Sequence, residues 1–362
     1  MRVWPGNPWD PMEKFDVLVI GGGLAGLSAA FHASELSGGS LSVAVVERLE
    51  GAAYERYHRI CGEGVSKRAR KEVQPLPFNG VLHEIHELVE HWPGHAPIVY
   101  ESEGYIVNRP ELLKGIRQEA TKSVSFIHDA VRSIQNEDGT YLSTLASGTN
   151  ISSRFVVGAD GAMSKVRTQL IPEHKRRLVW ADRYLVDAPS EPHALHFHYD
   201  ERYHGAYRWS FPCGDRTNTG FPRGCDAAPE NAILHRRAVP FQRMGPLVKG
   251  NACLVGDAGA LANPLTFAGI RTALLSGKLA AAAIVRGDLS SYERSWNRSR
   301  FSSSRFADAF NALERMDNRQ MTECVKFIGK KADVIGHLRS SLLNRKYRVL
   351  YRAYLLSDRY GW

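Results

Sequence analysis

The chain has 362 residues, 43% of them hydrophobic and 23% charged, with a net charge of +9. That length and balance suit two closely joined domains with an ample core and exclude a disordered or fibrous chain. The five cysteines (Cys61, Cys213, Cys225, Cys253, Cys324) lie far apart with no C-x-x-C. This argues against a zinc site, an iron–sulfur cluster or a disulfide scaffold, and no metal is expected.

Residues 1–11 carry two Trp and three Pro and lack the apolar core of a signal peptide. They read as a flexible arm, or as residues ahead of a start at Met12. Residues 15–20 are an apolar run with β-branched members, which predicts a buried strand. Gly21, Gly23 and Gly26 follow as G-x-G-x-x-G. The first glycine permits a tight turn, the second lets a pyrophosphate approach the backbone, and the third lets the next helix pack closely. That helix is predicted over residues 24–34, with free N–H groups and a positive dipole end facing phosphate. A second strand over 41–46 ends at Glu47, where a ribose hydroxyl needs an acceptor; Arg48 comes next. Such a loop accepts FAD and NAD alike.

Residues 60–66 run Ile-Cys-Gly-Glu-Gly-Val-Ser. A free cysteine is most often a buried packing residue, so Cys61 reads first as a packing or cofactor contact and second as a reactive thiol. Glu63 is an acid candidate, although a loop carboxylate is ordinarily solvated. Residues 154–157 predict a strand, Gly158-Ala159-Asp160-Gly161 the turn after it, and Ser164 the cap of a short helix. Tyr207, Trp209 and Phe211 alternate, so they share one face of a strand. The commoner meaning of that pattern is core packing. Residues 251–255 predict another strand, closed by Gly256-Asp257-Ala258-Gly259, and a small-residue helix is expected over 266–285. The most apolar run, 265–285, contains Arg271 and Lys278, so no bilayer span is predicted.

From Arg286 onward, 16 Lys+Arg stand against 8 Asp+Glu, so nearly all the positive excess is C-terminal. Tyr347, Tyr351, Tyr354 and Leu355 fall on one face of a predicted helix among Arg345, Lys346, Arg348 and Arg352. One reading is a helix docked on the nucleotide-binding domain with its basic side solvated. The other is a contact for an anionic membrane, a diphosphate substrate or an acidic carrier protein. No motif supports nucleic acid, and none is expected as a partner.

The glycine loop, then Gly-Ala-Asp-Gly-x-x-Ser-x-Val-Arg over residues 158–167, then Gly256-Asp257-Ala258 resemble, in that order, the flavoprotein family of p-hydroxybenzoate hydroxylase and the geranylgeranyl reductases. The resemblance spans residues 13–290. It implies an α/β fold: a glutathione-reductase-type FAD-binding domain, an inserted β-sheet substrate domain and a helical C-terminus. The FAD-binding domain is expected over 13–75, 106–172 and 246–290, the substrate domain over 76–105 and 173–245, and a basic helical region over 291–362. The implied cofactor is FAD, held by Gly21, Gly23, Gly26, Glu47, Arg48, Arg109, Asp160, Gly161, Gly256, Asp257, Pro264, Gly269 and Ile270. In this assignment Asp257 accepts from a ribityl hydroxyl, and the N–H groups of 264–269 face the flavin ring edge.

Three stretches look like the geranylgeranyl reductase branch: residues 60–66, the Tyr-x-Trp-x-Phe-Pro of 207–212, and residues 105–113, which carry Arg109. Where those enzymes often have Gly-Glu-Gly before the last helix, this chain has Phe267-Ala268-Gly269. The resemblance makes Tyr207, Trp209 and Phe211 substrate contacts and Cys61 and Glu63 the catalytic candidates. It implies an FAD-dependent oxidoreductase that reduces a C=C bond of a hydrophobic or prenyl-type substrate by hydride transfer from reduced flavin. The alternatives are an NAD(P)H-dependent flavin monooxygenase or a halogenase on an aromatic substrate, a flavin carrier without turnover, and an NAD-only dehydrogenase. An external electron donor such as NADPH or ferredoxin is expected. So is a cytoplasmic location, with peripheral membrane contact as a further option.

Overall fold

The computed structural model describes residues 12–230 and 232–358, so the arm read from residues 1–11 lies outside the described residues. β1 (Glu13–Ile20) is fully buried over its last four residues, as a central strand covered on both faces should be. The chain continues through α1 (Leu24–Leu36), β2 (Val43–Glu47), α2 (Gly51–His58), β3 (Gly64–Ser66) and α3 (Lys67–Glu72). A long hairpin follows, β4 (Val81–His91) and β5 (Ile98–Val107). α4 (Arg109–Ala120) starts where the Asn108 side chain accepts the Glu111 N–H and Pro110 occupies the first turn. Next come β6 (Ser125–His128), β7 (Val131–Glu137), β8 (Thr140–Leu145) and β9 (Asn150–Gly158). α5 (Lys165–Leu170) is capped by Ser164, as expected.

The next stretch is mostly strand: β10 (Lys175–Val186), β11 (Ala194–His198), β12 (Arg208–Cys213), β13 (Arg216–Pro222) and β14 (Ile233–Met244). β15 (Val248–Lys249) and β16 (Ala252–Leu254) precede α6 (Ile270–Val285). The C-terminal region holds α7 (Ser290–Arg298), α8 (Ser304–Leu313), α9 (Asn318–Val325), β17 (Lys331–Ala332), α10 (Val334–Leu343) and α11 (Arg348–Asp358).

Among the described residues the strands form two sheets. One has the order β15-β16-β9-β1-β2-β6, with β8 beside β9 and β7 beside β8. Its inner pairs β16–β9, β9–β1, β1–β2 and β2–β6 are parallel. The other has the order β14-β10-β13-β12-β11-β4-β5-β17, with β3 also on β5. β3 thus falls in the second sheet although it lies within the 13–75 segment. α1 packs on α6, where the Ser28 hydroxyl donates to the Leu274 carbonyl at 2.7 Å. This small-residue contact closes one face of the first sheet.

Two expectations need correction. The last long helix begins at Ile270 and not near 266, because Phe267 takes a left-handed φ of 53° that no α-helix contains. Asn263 holds this turn: its side-chain oxygen accepts the N–H groups of Leu265 (2.8 Å) and Thr266 (3.2 Å). The second concerns α11, which does not dock on the nucleotide-binding side. Tyr347, Leu350 and Tyr351 pack in a core with Ile98 and Tyr100 of the second sheet and with Trp92 and Tyr199, just past the ends of β4 and β11. The aromatic face finds there the apolar surface that it needs, while Arg345, Lys346 and Arg352 remain exposed. Among the described residues no helix is long and apolar enough to cross a membrane.

Candidate active site

A single cavity of about 1050 Å³ runs from the end of β1 into the second sheet. This is at the top of the roughly 300–1,000 Å³ usual for ligand pockets. One end is lined by Gly21, Gly23, Glu47, Arg48, Asp160 and Gly161. Cys61, Glu63, Arg109, Asp257, Gly269 and Ile270 lie further in, and Tyr207, Trp209 and Phe211 line the far part. The structure therefore brings together most residues singled out in the sequence. Gly26, Gly256 and Pro264 do not line the cavity. Gly26 works from behind, since a Cβ there would stand 1.9 Å from the Gly21 carbonyl oxygen. The Gly256 N–H donates to the Ser276 hydroxyl at 3.0 Å.

The glycine loop is held from two sides. Glu47 accepts the Gly22 N–H at 2.6 Å, and the Tyr54 hydroxyl donates to the Gly22 carbonyl at 2.6 Å. The other oxygen of Glu47 accepts the Leu49 N–H at 2.8 Å. Each carboxylate oxygen keeps a further lone pair for a hydroxyl. α1 and α6 both begin at the cavity, and neither has a side-chain cap. Their first N–H groups are free to meet phosphate or carbonyl oxygens.

Deeper in, Arg109 is joined by a second cation, Arg237, that the sequence did not reveal. Arg237 pairs with Asp257 at 3.1 Å and stacks over the Tyr57 ring. The bonded oxygen of Asp257 keeps one further lone pair for a hydroxyl, as the Glu47 oxygens do. Arg109 donates to His58 Nδ1 at 3.4 Å. Burial, then the charges of Arg109 and Arg237, push the His58 pKa down to about 2, so this imidazole is neutral and accepts. Arg109 Nε and Arg237 Nη1 are buried with no acceptor. A large, partly anionic ligand with many oxygens supplies what these donors lack, and a flavin dinucleotide fits this chemistry.

Glu63 corrects the expectation of a solvated carboxylate. It is buried, sits at a φ of 65° and accepts the Arg109 N–H at 3.1 Å. Burial raises its pKa to about 7 despite that bond and the nearby charges of Arg183, Arg109 and Arg59. Cys61 Sγ lies 3.3 Å from the Glu63 N–H that it accepts. The fully buried Asn218 ties this loop to the sheet. Its amide donates to the Cys61 carbonyl (2.7 Å), and its oxygen accepts from Trp209 Nε1 (3.2 Å) and Arg183 Nε (3.2 Å). Trp209 lies flat over Gly220, where a Cβ would come within 2.2 Å of the ring.

The far end is aromatic around one acid. Glu90 is buried, and four groups donate to it: Trp92 (2.9 Å), Tyr100 (3.2 Å), Tyr199 (3.4 Å) and Tyr354 (3.0 Å). Burial raises its pKa to about 7 against those four bonds. Phe197 and Phe211 meet edge to face beside it, and Phe197 meets Tyr207 in the same way. The Tyr207 hydroxyl donates to the Thr266 carbonyl. Strand alternation from Ile85 would turn Glu90 to the other face. A register shift between Ile85 and Glu87 reverses the alternation and sends Leu88 and Glu90 into the cavity.

The Lycopene cyclase protein family matches residues 16–181. Digeranylgeranylglycerophospholipid reductase 1 of Methanopyrus kandleri is 29% identical over 91% of this chain and 97% of its own length. The menaquinone reductase of Mycobacterium tuberculosis is 30% identical over 76% of this chain and 78% of its own. Among solved structures, a geranylgeranyl bacteriochlorophyll reductase-like protein from Thermoplasma acidophilum superposes with a TM-score of 0.76. It is 19% identical, and the match covers 96% of this chain and all of that one.

Proposed function

The chain belongs to the geranylgeranyl reductase-like branch of the p-hydroxybenzoate hydroxylase-type FAD-dependent oxidoreductases, and from that premise we propose that it reduces C=C bonds of a prenyl-type hydrophobic substrate. One observation carries the proposal: a single cavity joins a dinucleotide-type loop to an aromatic far end lined by Phe197, Tyr199, Tyr207, Trp209 and Phe211. Reduced FAD, when bound, supplies the hydride.

The chain's own residues do the rest. Gly21, Gly23 and the start of α1 receive the pyrophosphate, with Gly26 packed behind the loop, Glu47 and Arg48 the ribose end, and Asp160 and Gly161 the middle of the cofactor. Arg109 and Arg237 donate to its oxygens, while Asp257 keeps Arg237 in place. Gly256 and Pro264 shape the turns, and Gly269 and Ile270 present N–H groups to the ring edge. Tyr207, Trp209 and Phe211 align the substrate and exclude water. Adding hydride to a C=C bond also requires a proton at the second carbon. Glu63, held half-protonated near neutrality by burial, is the donor in this reading. Cys61 keeps its loop in place through its carbonyl and sulfur.

Electrons come from an external donor such as NADPH or ferredoxin, because the sequence holds one glycine-rich dinucleotide loop. The basic C-terminal region is where contact with an anionic membrane or an acidic carrier belongs. The test is anaerobic mixing of photoreduced holoprotein with geranylgeranylated phospholipids and menaquinone. Flavin reoxidation with a product two hydrogens heavier is the expected result. Flavin that stays reduced against a broad panel of prenyl lipids and quinones removes the proposal.

A further inference from the structure

α10 is built the wrong way round for a helix packed on a core. Its buried residues are His337 and Ser340. Its exposed residues include Val334, Ile335, Leu338, Leu342 and Leu343, with Ile335 73% and Leu342 70% exposed. At 100° per residue Val334, Leu338, Leu342 and Ile335 fall within one 100° arc, an aliphatic strip along most of the helix, with exposed Arg339 between it and Leu343. Scattered apolar residues on a surface are ordinary, but a contiguous strip marks something that covers it.

Three features identify what covers it. The strip is aliphatic with no aromatic ring, whereas protein interfaces are enriched in Tyr, Trp and Phe at their centres. It is set in positive charge: between residues 326 and 346 there are six Lys or Arg and one acid, Asp333. Lys330, Lys331, Arg339, Arg345 and Lys346 are all exposed; Lys331 pairs with Glu101 and Lys346 with Glu323, each at 3.6 Å on the surface. Finally, the strip is continuous with the cavity. Lys331 and Ala332 pair along the edge of β5, and Lys331 to Val334 line the cavity where α10 begins. On the inner side, the His337 ring stacks on Tyr100 and lies against Tyr354, two of the donors to Glu90.

We propose that α10 is an interfacial helix that seats the protein on an anionic phospholipid bilayer, its aliphatic strip among the acyl chains and its cations at the headgroups. The seat brings the far end of the cavity to the membrane surface, so a prenyl chain passes from bilayer to cavity without crossing water. Apolar insertion and headgroup attraction reinforce each other in such helices. The route for the prenyl chain rests on the reductase reading above; the membrane seat itself does not.

Flotation of the FAD-loaded full chain with vesicles, without substrate or reductant, tests the seat by itself. Wild type should float with mixed phosphatidylcholine–phosphatidylglycerol vesicles and much less with phosphatidylcholine alone. Leu338→Glu with Leu342→Glu should lower vesicle partitioning by at least about tenfold. Both positions are exposed and outside the cavity, so flavin absorbance and melting temperature should stay at wild-type values. Activity on a short, detergent-dispersed prenyl substrate should also survive, while activity on vesicle-embedded substrate falls. Wild-type protein that ignores both kinds of vesicle overturns the seat. So does a variant that partitions like wild type, or a wild-type dimer that the variant splits in the absence of lipid. If wild type binds vesicles but reduces no substrate, only the reductase reading fails.

Discussion

At the scale of single residues, burial decides which groups matter. Arg109 brings a guanidinium into the cavity with one N–H lacking an acceptor. If FAD oxygens fill that role, Arg109→Ala removes a charge-assisted bond of about 1.5–3 kcal/mol, or roughly ten- to a hundredfold in Kd. Flavin fluorescence titration of apoprotein measures it. Phe267 poses a contest between two effects. Its left-handed backbone costs about 1–2 kcal/mol relative to glycine. Its ring, however, meets those of Tyr207, Phe241 and Phe310. Removing a fully buried Phe side chain costs about 3–5 kcal/mol; Phe267 is half-buried, but its three ring contacts keep enough of that for packing to win. Phe267→Gly should lower the melting temperature despite the easier backbone. The glycines, Glu47 and Asp160 were legible because a motif names them. Arg237, His58 and Glu90 were not, since nothing in their local sequence separates them from ordinary surface residues.

At the scale of elements, β1, α1 and β2 follow from local rules. A buried run, three spaced glycines and a small-residue helix leave few alternatives. Gly26 shows how tight the result is. With a Cβ 1.9 Å from the Gly21 carbonyl, Gly26→Ala has to move the loop that receives the pyrophosphate. The expected outcome is protein that purifies with little or no FAD and loses about 1–3 kcal/mol of stability from overpacking. Absorbance of the purified variant and its thermal melt report both. Asn218 makes the corresponding point for the second sheet. Asn218→Leu leaves the Cys61 carbonyl, Trp209 Nε1 and Arg183 Nε each short of a partner. Each buried group so orphaned costs about 1–3 kcal/mol, so the variant should be among the most destabilising single changes in this region. The start of α6 and the facing of β4 escaped the sequence for a shared reason. A left-handed residue and a register shift each interrupt a period, and a period is all that a sequence pattern reports.

At the scale of the whole molecule, the cavity forms where two sheets meet, and it holds two buried carboxyls. Glu63 and Glu90 both have pKa values raised to about 7 by burial. A carboxyl with a higher pKa folded than unfolded binds more protons when folded, between its unfolded value of about 4.5 and about 7. Stability from these two groups is therefore greatest at the acidic end of that window and declines as pH rises through it. Histidines held neutral by burial, among them His32, His58, His198 and His337, give the opposite slope in the same window, so the carboxyl part is read as a difference between wild type and variant. Glu90→Gln, which cannot ionise, should make the melting temperature of apoprotein rise more, or fall less, between those limits than that of wild type. A variant whose pH dependence matches wild type contradicts the assignment of Glu90.

By itself the sequence determined the dinucleotide loop, its acid, the two later turns and the α/β class, because each depends on neighbours within a few residues. Resemblance extended this to FAD and to a reductase-like scaffold, which the relatives and the fold bear out. Tertiary structure alone decided what stands opposite what. It placed Arg237 against Asp257, buried Glu63 beside Arg109, and gathered Trp92, Tyr100, Tyr199 and Tyr354 around Glu90 from four separate segments. It also turned the apolar side of α10 outward. Desolvation, pairing and exposure depend on distances between residues far apart in the chain, and those distances exist only once the two sheets have packed.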